Sequence, residues 1–130
     1  VACVPTDHPL AAKGSMSIMD MEDLDLIMLK EGSTLRQTIL QDLKSANITP
    51  NIILESNQTD TIKGLVENSV GVAYLLDFIV KDEPNLRALP LEQPKFVDIG
   101  LAWKRDRYIS KAAQAFISFC QYTLTQDKNK

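Results

Sequence analysis

Short apolar runs alternate with helix-like apolar stripes along most of the chain. The apolar runs predict strands at residues 1–4, 26–29, 52–55, 70–75, 86–89 and 96–103. Apolar residues spaced at helical intervals predict helices over residues 34–46, 59–67 and 110–126. Strands and helices that alternate in this way favour an α/β fold with a parallel or mixed sheet flanked by helices.

Composition and charge restrict the classes of function. The 130 residues are 45% hydrophobic, enough for one domain with a real core. The net charge is -3 and no basic block occurs, so the chain by itself is a poor nucleic-acid binder. No apolar stretch is long enough to span a membrane. Cys3 and Cys120 lie far apart in apolar runs, which favours core thiols but leaves a disulfide open.

The start of the helix after residue 33 has an unusual charge pattern. Ser33 is a good N-cap, but the place where a capping box has Glu or Gln holds Arg36. No acidic residue occurs in residues 34–41, so the positive helix end is not offset by its own first turns. Free amides, the hydroxyls of Ser33 and Thr34 and the Arg36 guanidinium predict an anion seat, and Gly32 allows close approach. The alternative is an ordinary helix start, and an inward-facing Glu31 would oppose an anion.

Catalytic and metal-binding patterns do not emerge. His8 is the single histidine and stands before Pro9, which is typical of a turn. One histidine and two distant cysteines predict no metal cluster. Neither a nucleophile motif nor a phosphate-binding glycine loop is found. We therefore predict a protein that is not an enzyme and carries no cofactor or metal.

Five segments, taken in order, carry a family resemblance. They are VPTDHPLA (4–11), EGSTLRQTI (31–39), ILESNQTDTIKGLVENSVGVAYL (53–75), LRALPL (86–91) and IGLAWKRDRYISKAAQAFISF (99–119). In this order and spacing the chain resembles the effector-binding domain of LysR-type transcriptional regulators. Two departures stand out: the family often has Gly where Ser69 stands, and Pro near Leu76.

The resemblance implies a periplasmic-binding-protein-like (type II) fold of two α/β lobes joined by crossing strands. Residues 6–94 would form the second lobe. Residues 1–5 and 95–130 would supply the crossover strands and the closing strand and helix of the first lobe. The rest of the first lobe and the DNA-binding domain are expected outside these residues.

The resemblance also implies a ligand site and partners. A small anionic metabolite is expected in the cleft between the lobes. The residues expected to line it are Gly32, Ser33, Thr34, Asn57, Gly71, Val72, Pro5 and Thr6. DNA contact would occur only through the absent domain, and the protein is expected to be cytoplasmic, with no membrane partner.

The last helix predicts self-association. On the resemblance, the first lobe would cover its apolar stripe. If these residues are alone, the stripe needs another partner, and we then predict a homo-oligomer or a swap in which residues 96–103 and 110–126 pack on a second copy. The stripe consists of Ala112, Ala113, Phe116, Phe119, Cys120 and Leu124.

A second binding module remains open as an alternative: part of a periplasmic solute-binding protein that serves a transporter. The segment that precedes Val1 would separate the two, since a regulator has a basic helical domain there and a transporter protein has a signal peptide.

Overall fold

A five-stranded mixed sheet organises the first part of the chain. A computed structural model describes residues 1–98 and 100–127. The chain divides into two compact units, Val1–Val97 and Asp98–Lys130. The strands are β1 (Ala2–Pro5), β2 (Asp25–Met28), β3 (Asn51–Glu55), β4 (Val72–Tyr74) and β5 (Leu86–Leu89). The helices are α1 (Thr34–Ser45), α2 (Thr59–Glu67), α3 (Asp77–Val80) and α4 (Lys111–Asp127), with 3-10 turns at Pro9–Ala12 and Met19–Met21.

The strand order is β3-β2-β4-β1-β5, and it confirms the predicted mixed sheet flanked by helices. β2 runs parallel to both β3 and β4. β1 runs antiparallel to β4 and to β5. The carboxyl ends of β2, β3 and β4 therefore share one edge of the sheet, where ligands sit in open sheets of this class.

Alternation along each strand divides the core between the two faces of the sheet. In β2, Leu26 and Met28 belong to a cluster with Ile39 and Leu43 of α1. Ile27, between them, belongs to a second cluster with Ile62 and Val66 of α2. This is the two-residue period of a strand that is buried on both faces. The helical spacing predicts inward faces of Leu35, Ile39 and Leu43 in α1 and of Ile62, Leu65 and Val66 in α2. Of these, Ile39, Leu43, Ile62 and Val66 are buried, and Leu35 and Leu65 are half-buried.

The first strand lies inside the sheet. Residues 1–5 were predicted to form a strand that crosses between lobes; Ala2–Pro5 is a strand between β4 and β5, and its crossover role stays a prediction. Ala2, Cys3 and Val4 are fully buried because both faces of β1 are covered. The strand therefore belongs to the same unit as residues 6–94, and that unit continues to Val97.

The strand predicted at 96–103 is wrong for the residues described. Residues 96–98 and 100–103 have no strand pairing. An extended apolar segment becomes a strand only where a neighbouring strand supplies hydrogen-bonding partners, and none of the described strands does so. Phe96 is 89% exposed as a result. On α4, Phe116 and Phe119 of the predicted apolar stripe are also exposed, whereas the side chain of Leu124 lies outside the described residues.

Two helices end at residues in the left-handed region. Asn47 (φ 58) follows α1 and Ser69 (φ 56) follows α2. The amide of the residue that follows each of them donates a hydrogen bond to a carbonyl of the preceding helix. Ile48 N donates to the Leu43 carbonyl at 2.9 Å, and Val70 N donates to the Leu65 carbonyl at 3.0 Å. This is the Schellman arrangement, which usually places Gly at that position. The departure noted at Ser69 therefore falls on a position whose backbone favours glycine.

Candidate functional site

The turn after β2 presents the start of α1 at the carboxyl edge of the sheet. Gly32 has φ +92, and a Cβ built there would meet nothing within 4 Å. Ser33 has an extended backbone, and its hydroxyl accepts a hydrogen bond from the Arg36 amide at 3.4 Å, so the predicted N-cap is confirmed. The first turn of α1 has no acidic residue, and Thr34 is exposed. Glu31 is exposed as well.

Asn57 lies beside this turn. Its Oδ1 accepts a hydrogen bond from the Lys30 amide at 3.1 Å. A second bond, from the Ser56 amide to the Met28 carbonyl at 3.0 Å, also joins the segment after β3 to the end of β2. Because β2 and β3 are parallel neighbours, these contacts place Asn57 at the same edge as Gly32, Ser33 and Thr34. The structure brings these four predicted residues together.

The Arg36 side chain connects α1 to the ends of β2 and β3 at this edge. Its Nη1 donates to the Leu29 carbonyl at 2.8 Å, and its Nη2 lies 2.7 Å from Glu55 Oε1. The Arg36 side chain is only 11% exposed. Its guanidinium is thus directed at β2 and β3, which corrects the prediction that it completes an anion seat. Neither Lys30 nor Glu55 was singled out from the sequence, since a backbone amide and a strand-end acid become informative only when the strand pairing is known.

The other four predicted residues lie elsewhere. Pro5 is the last residue of β1, where it pairs with Leu86, and Thr6 follows it. Because β1 is antiparallel to β4, both residues lie near the amino end of β4. Val72 is 3% exposed within the sheet, where it pairs with Leu26. The structure therefore groups four of the eight predicted residues at the carboxyl edge of the sheet and places the other four away from it, because the antiparallel β1 carries its last residues away from the carboxyl ends of β2 and β4. That the eight residues line one effector cleft stays a prediction.

Gly71, which precedes β4, has a structural reason to be glycine. A Cβ at this position would lie 2.7 Å from the backbone oxygen of Asp25 and 3.2 Å from Ile27 Cγ1. The close approach of β4 to β2 therefore requires Gly71, and no ligand is needed to explain it. Pro5, Gly71 and Val72 line a separate cavity of about 230 Å³ at the amino edge of β4.

Two other predictions concern single side chains. The Nδ1 of His8 accepts a hydrogen bond from the Leu10 amide at 3.2 Å, at the start of a 3-10 turn, which confirms it as a turn residue. Cys3 and Cys120 are both free. Burial raises the pKa of the Cys3 thiol to about 12. The described part of the chain contains no group of three or more His, Cys, Asp or Glu placed to hold a metal ion.

The strand order and the strand-to-helix turn after β2 also occur in known proteins. A family model for the LysR substrate binding domain matches residues 1–125. The chain belongs to this family. The HTH-type transcriptional regulator YybE of Bacillus subtilis (strain 168) is 33% identical over 114 residues, which cover 87% of this chain and 39% of YybE.

Solved structures support the same fold. HinK, a LysR family transcriptional regulator from Pseudomonas aeruginosa, matches with a TM-score of 0.78 and 22% identity, over 95% of this chain and 43% of that one. The effector binding domain of QuiR in complex with shikimate matches with a TM-score of 0.69 and 25% identity, over 92% of this chain and 57% of that one. The periplasmic-binding-protein-like expectation is therefore confirmed at the level of fold.

The relatives also decide between the two binding modules predicted above. They are transcriptional regulators, which favours the regulator over the transporter protein. The chain spans about two fifths of the length of YybE and HinK, at 39% and 43%. Among the described residues, no helix combines the length and apolar character that a membrane crossing requires.

Proposed function

We propose that this chain is the effector-sensing part of a LysR-type transcriptional regulator that responds to a small anionic metabolite. The seat for the anion is formed by Gly32, Ser33 and Thr34, with Asn57 beside them. The chain senses and does not catalyse. The complete regulator is cytoplasmic and contacts DNA through a domain outside these residues.

The observation that carries the proposal is the geometry of the α1 N-terminus. The first amides of a helix have no partner within the helix, and the macrodipole places partial positive charge there. In α1 no acid in the first turn offsets that charge. Space beside Gly32 is open, and the Thr34 side chain is exposed, so an anion has access to these groups.

The chemistry of a relative supports the choice of ligand class. QuiR, at 25% identity, is described in complex with shikimate. Shikimate is a hydroxylated carboxylate, and helix N-termini with adjacent hydroxyls suit such groups. Since Arg36 is held by Leu29 and Glu55, we propose that amides and hydroxyls, rather than a guanidinium, contact the carboxylate in this chain.

The transcriptional response depends on the difference between the ligand's affinities for two arrangements of the regulator. A ligand changes the balance between two arrangements of the regulator only to the extent that it binds one of them better. We propose a homo-oligomer as the responding assembly. Phe116 (56%) and Phe119 (64%) on α4 are exposed, and apolar side chains of that size favour burial, against the rest of the first lobe or against a second copy.

The test uses the full-length regulator and a panel of small carboxylates that includes shikimate. Isothermal titration identifies a binder, and the same binder is then titrated into a Ser33→Ala/Thr34→Ala variant. Affinity is expected to fall about tenfold or more, because roughly 1.4 kcal/mol is lost with the charge-assisted hydrogen bonds.

Ser110→Ala is the matched control. Ser110 precedes α4, and its hydroxyl accepts from the Ala113 amide at 3.2 Å, so the control also removes a helix cap, but far along the chain. Unchanged affinity in the Ser33→Ala/Thr34→Ala variant, or an equal loss in Ser110→Ala, contradicts the proposed seat.

A further inference from the structure

Two loops meet at the proposed seat, and they come from the ends of two different strands. The loop after β2 leads to the Gly32–Thr34 turn, and the loop after β3 contains Asn57. An anion that contacts both loops binds well only when their spacing is fixed before it arrives. The pairing of β2 with β3 ends at Met28 and Glu55, before either loop reaches the seat. Contacts beyond the strand pairing must therefore hold the two loops together.

Two hydrogen bonds join the loops directly. The Ser56 amide donates to the Met28 carbonyl at 3.0 Å, and the Lys30 amide donates to Asn57 Oδ1 at 3.1 Å. Lys30 and Asn57 are both exposed, so water competes for the second bond. That bond by itself therefore holds the Asn57 side chain only weakly.

The Arg36 side chain forms a third connection, through α1. Its Nη1 donates to the Leu29 carbonyl at 2.8 Å, and its Nη2 lies 2.7 Å from Glu55 Oε1, two residues before Asn57 in the chain. The Arg36 side chain is 11% exposed, so the guanidinium is largely shielded from water. Charge-assisted contacts from a planar guanidinium have a well-defined geometry. One rigid group thus connects the start of α1 to the ends of both strands.

We propose that Arg36 and Glu55 are positioning residues for the effector, which set the spacing between the α1 N-terminus and Asn57 without touching the ligand. This inference rests on the proposed function, because it requires an anion in that seat. It gives Arg36 a role in binding although its guanidinium is directed at the strand ends. The affinity for the ligand then depends on the geometry of the Arg36–Glu55 pair and not only on its charge.

Two competing explanations of Arg36 predict different results. If Arg36 only stabilises the fold, then a variant that is still folded binds the ligand normally. If Arg36 acts only as a positive charge near the anion, then lysine replaces it fully, since lysine keeps the charge and lacks the planar fork.

The experiment is isothermal titration of the full-length regulator with the small carboxylate that binds the wild type, beginning with shikimate. Circular dichroism confirms that each variant is folded. Glu55→Ala should weaken binding about fivefold, because residues in one hydrogen-bond network are energetically coupled. Glu55→Gln should stay within about twofold of the wild type, because its amide oxygen still accepts from Arg36. Arg36→Lys should weaken binding about fivefold although the charge is kept.

A double-mutant cycle tests whether the effect passes through Asn57. In an Asn57→Ala background, Glu55→Ala should change the affinity by less than about twofold, because the group that it positions is absent. Lys63→Met is the matched control. Lys63 contacts Asp60 at 3.0 Å and Glu83 at 2.5 Å, and its side chain is 18% exposed, so the control removes a similar ion pair away from the seat. Its affinity should equal that of the wild type.

The outcomes separate this inference from the proposed function. A wild type that binds none of the carboxylates, or an unchanged affinity in Ser33→Ala/Thr34→Ala, contradicts the proposed function and this inference with it. This inference alone is overturned if Ser33→Ala/Thr34→Ala loses affinity while Glu55→Ala does not, or if Arg36→Lys binds as the wild type does. It is also overturned if the losses in Glu55→Ala and Asn57→Ala add, or if the matched control loses as much affinity as Glu55→Ala.

Discussion

Replacing Arg36 by Met should destabilise the sheet through a specific carbonyl group. The guanidinium donates to the Leu29 carbonyl at 2.8 Å and contacts Glu55 at 2.7 Å. Arg36→Met retains most of the apolar stem that packs against the helix and removes both polar contacts. The two lost contacts differ in solvent access, so their contributions differ.

The Leu29 contact carries most of the effect. A hydrogen bond from a charged donor contributes about 2 kcal/mol, and the carbonyl of the half-buried Leu29 loses this partner in the variant. Glu55 has a 40% exposed side chain and is solvated when the pair is broken. That pair therefore contributes about 0.5 kcal/mol after screening by solvent. Arg36→Met should lower the free energy of unfolding by about 2.5 kcal/mol, and Glu55→Gln by about 0.5 kcal/mol.

The assay is urea denaturation followed by far-ultraviolet circular dichroism. Arg36→Lys is the matched control, since a lysine keeps the charge but does not form the two-pronged contact, and it should recover less than half of the loss. The reasoning is refuted if Glu55→Gln costs as much as Arg36→Met, or if Arg36→Met changes stability by less than about 0.5 kcal/mol.

Three further predictions concern other parts of the chain. Ser69→Gly should raise the free energy of unfolding by about 1 kcal/mol because Ser69 has φ 56; a loss of stability in urea denaturation would show that its side chain contributes more than the backbone strain. Gly71→Ala should lower it by about 1–3 kcal/mol because the new Cβ lies 2.7 Å from the Asp25 oxygen, and an unchanged urea midpoint would contradict this. In the native protein Cys120 should react with Ellman's reagent while Cys3 does not, because Cys3 is fully buried and its pKa is raised to about 12; both should react in urea, and fast labelling of Cys3 in the native state would indicate opening of β1.

Much of the fold was predictable because each element carries a local signal. The helix after residue 33 begins where Ser33 caps it, and α2 has the predicted bounds, Thr59–Glu67. The parallel arrangement of β2 with its neighbours follows from strands joined by helices, which need crossovers. These signals depend on residues close together in sequence, so they do not require knowledge of the tertiary structure.

Predictions failed where pairing decides the outcome. Residues 96–103 have the composition of a strand, but a strand exists only with a partner. The crossover role predicted for residues 1–5 depends on a second lobe, so it stays a prediction, although the position of β1 inside the sheet is clear from its burial on both faces. The proposed seat shows the same limit. Ser33 was found from its cap chemistry, whereas the bond of Asn57 to Lys30 and the brace formed by Arg36 depend on which strand lies beside β2.

Ser33 and Gly71 lie at opposite edges of the sheet because of the direction in which the strands run. Ser33 was predicted from helix-cap chemistry and Gly71 only from the family resemblance, and loops at the two edges of a parallel sheet differ in role. The direction of β1, which is antiparallel to β4, carries Pro5 and Thr6 to the edge away from Ser33. Strand direction is a property of the whole topology and is not encoded near any of these residues.

The most direct test of the proposed seat is amide hydrogen exchange, followed by mass spectrometry, in the full-length regulator with and without a carboxylate that binds. Peptides covering residues 29–36 and 55–60 should be protected by the ligand. Peptides covering residues 3–8 and 68–73, at the other edge of the sheet, should be unaffected. Protection confined to residues 3–8 and 68–73 would contradict the account, because it would place the anion at the amino edge of β4 and leave the α1 N-terminus as an ordinary helix start.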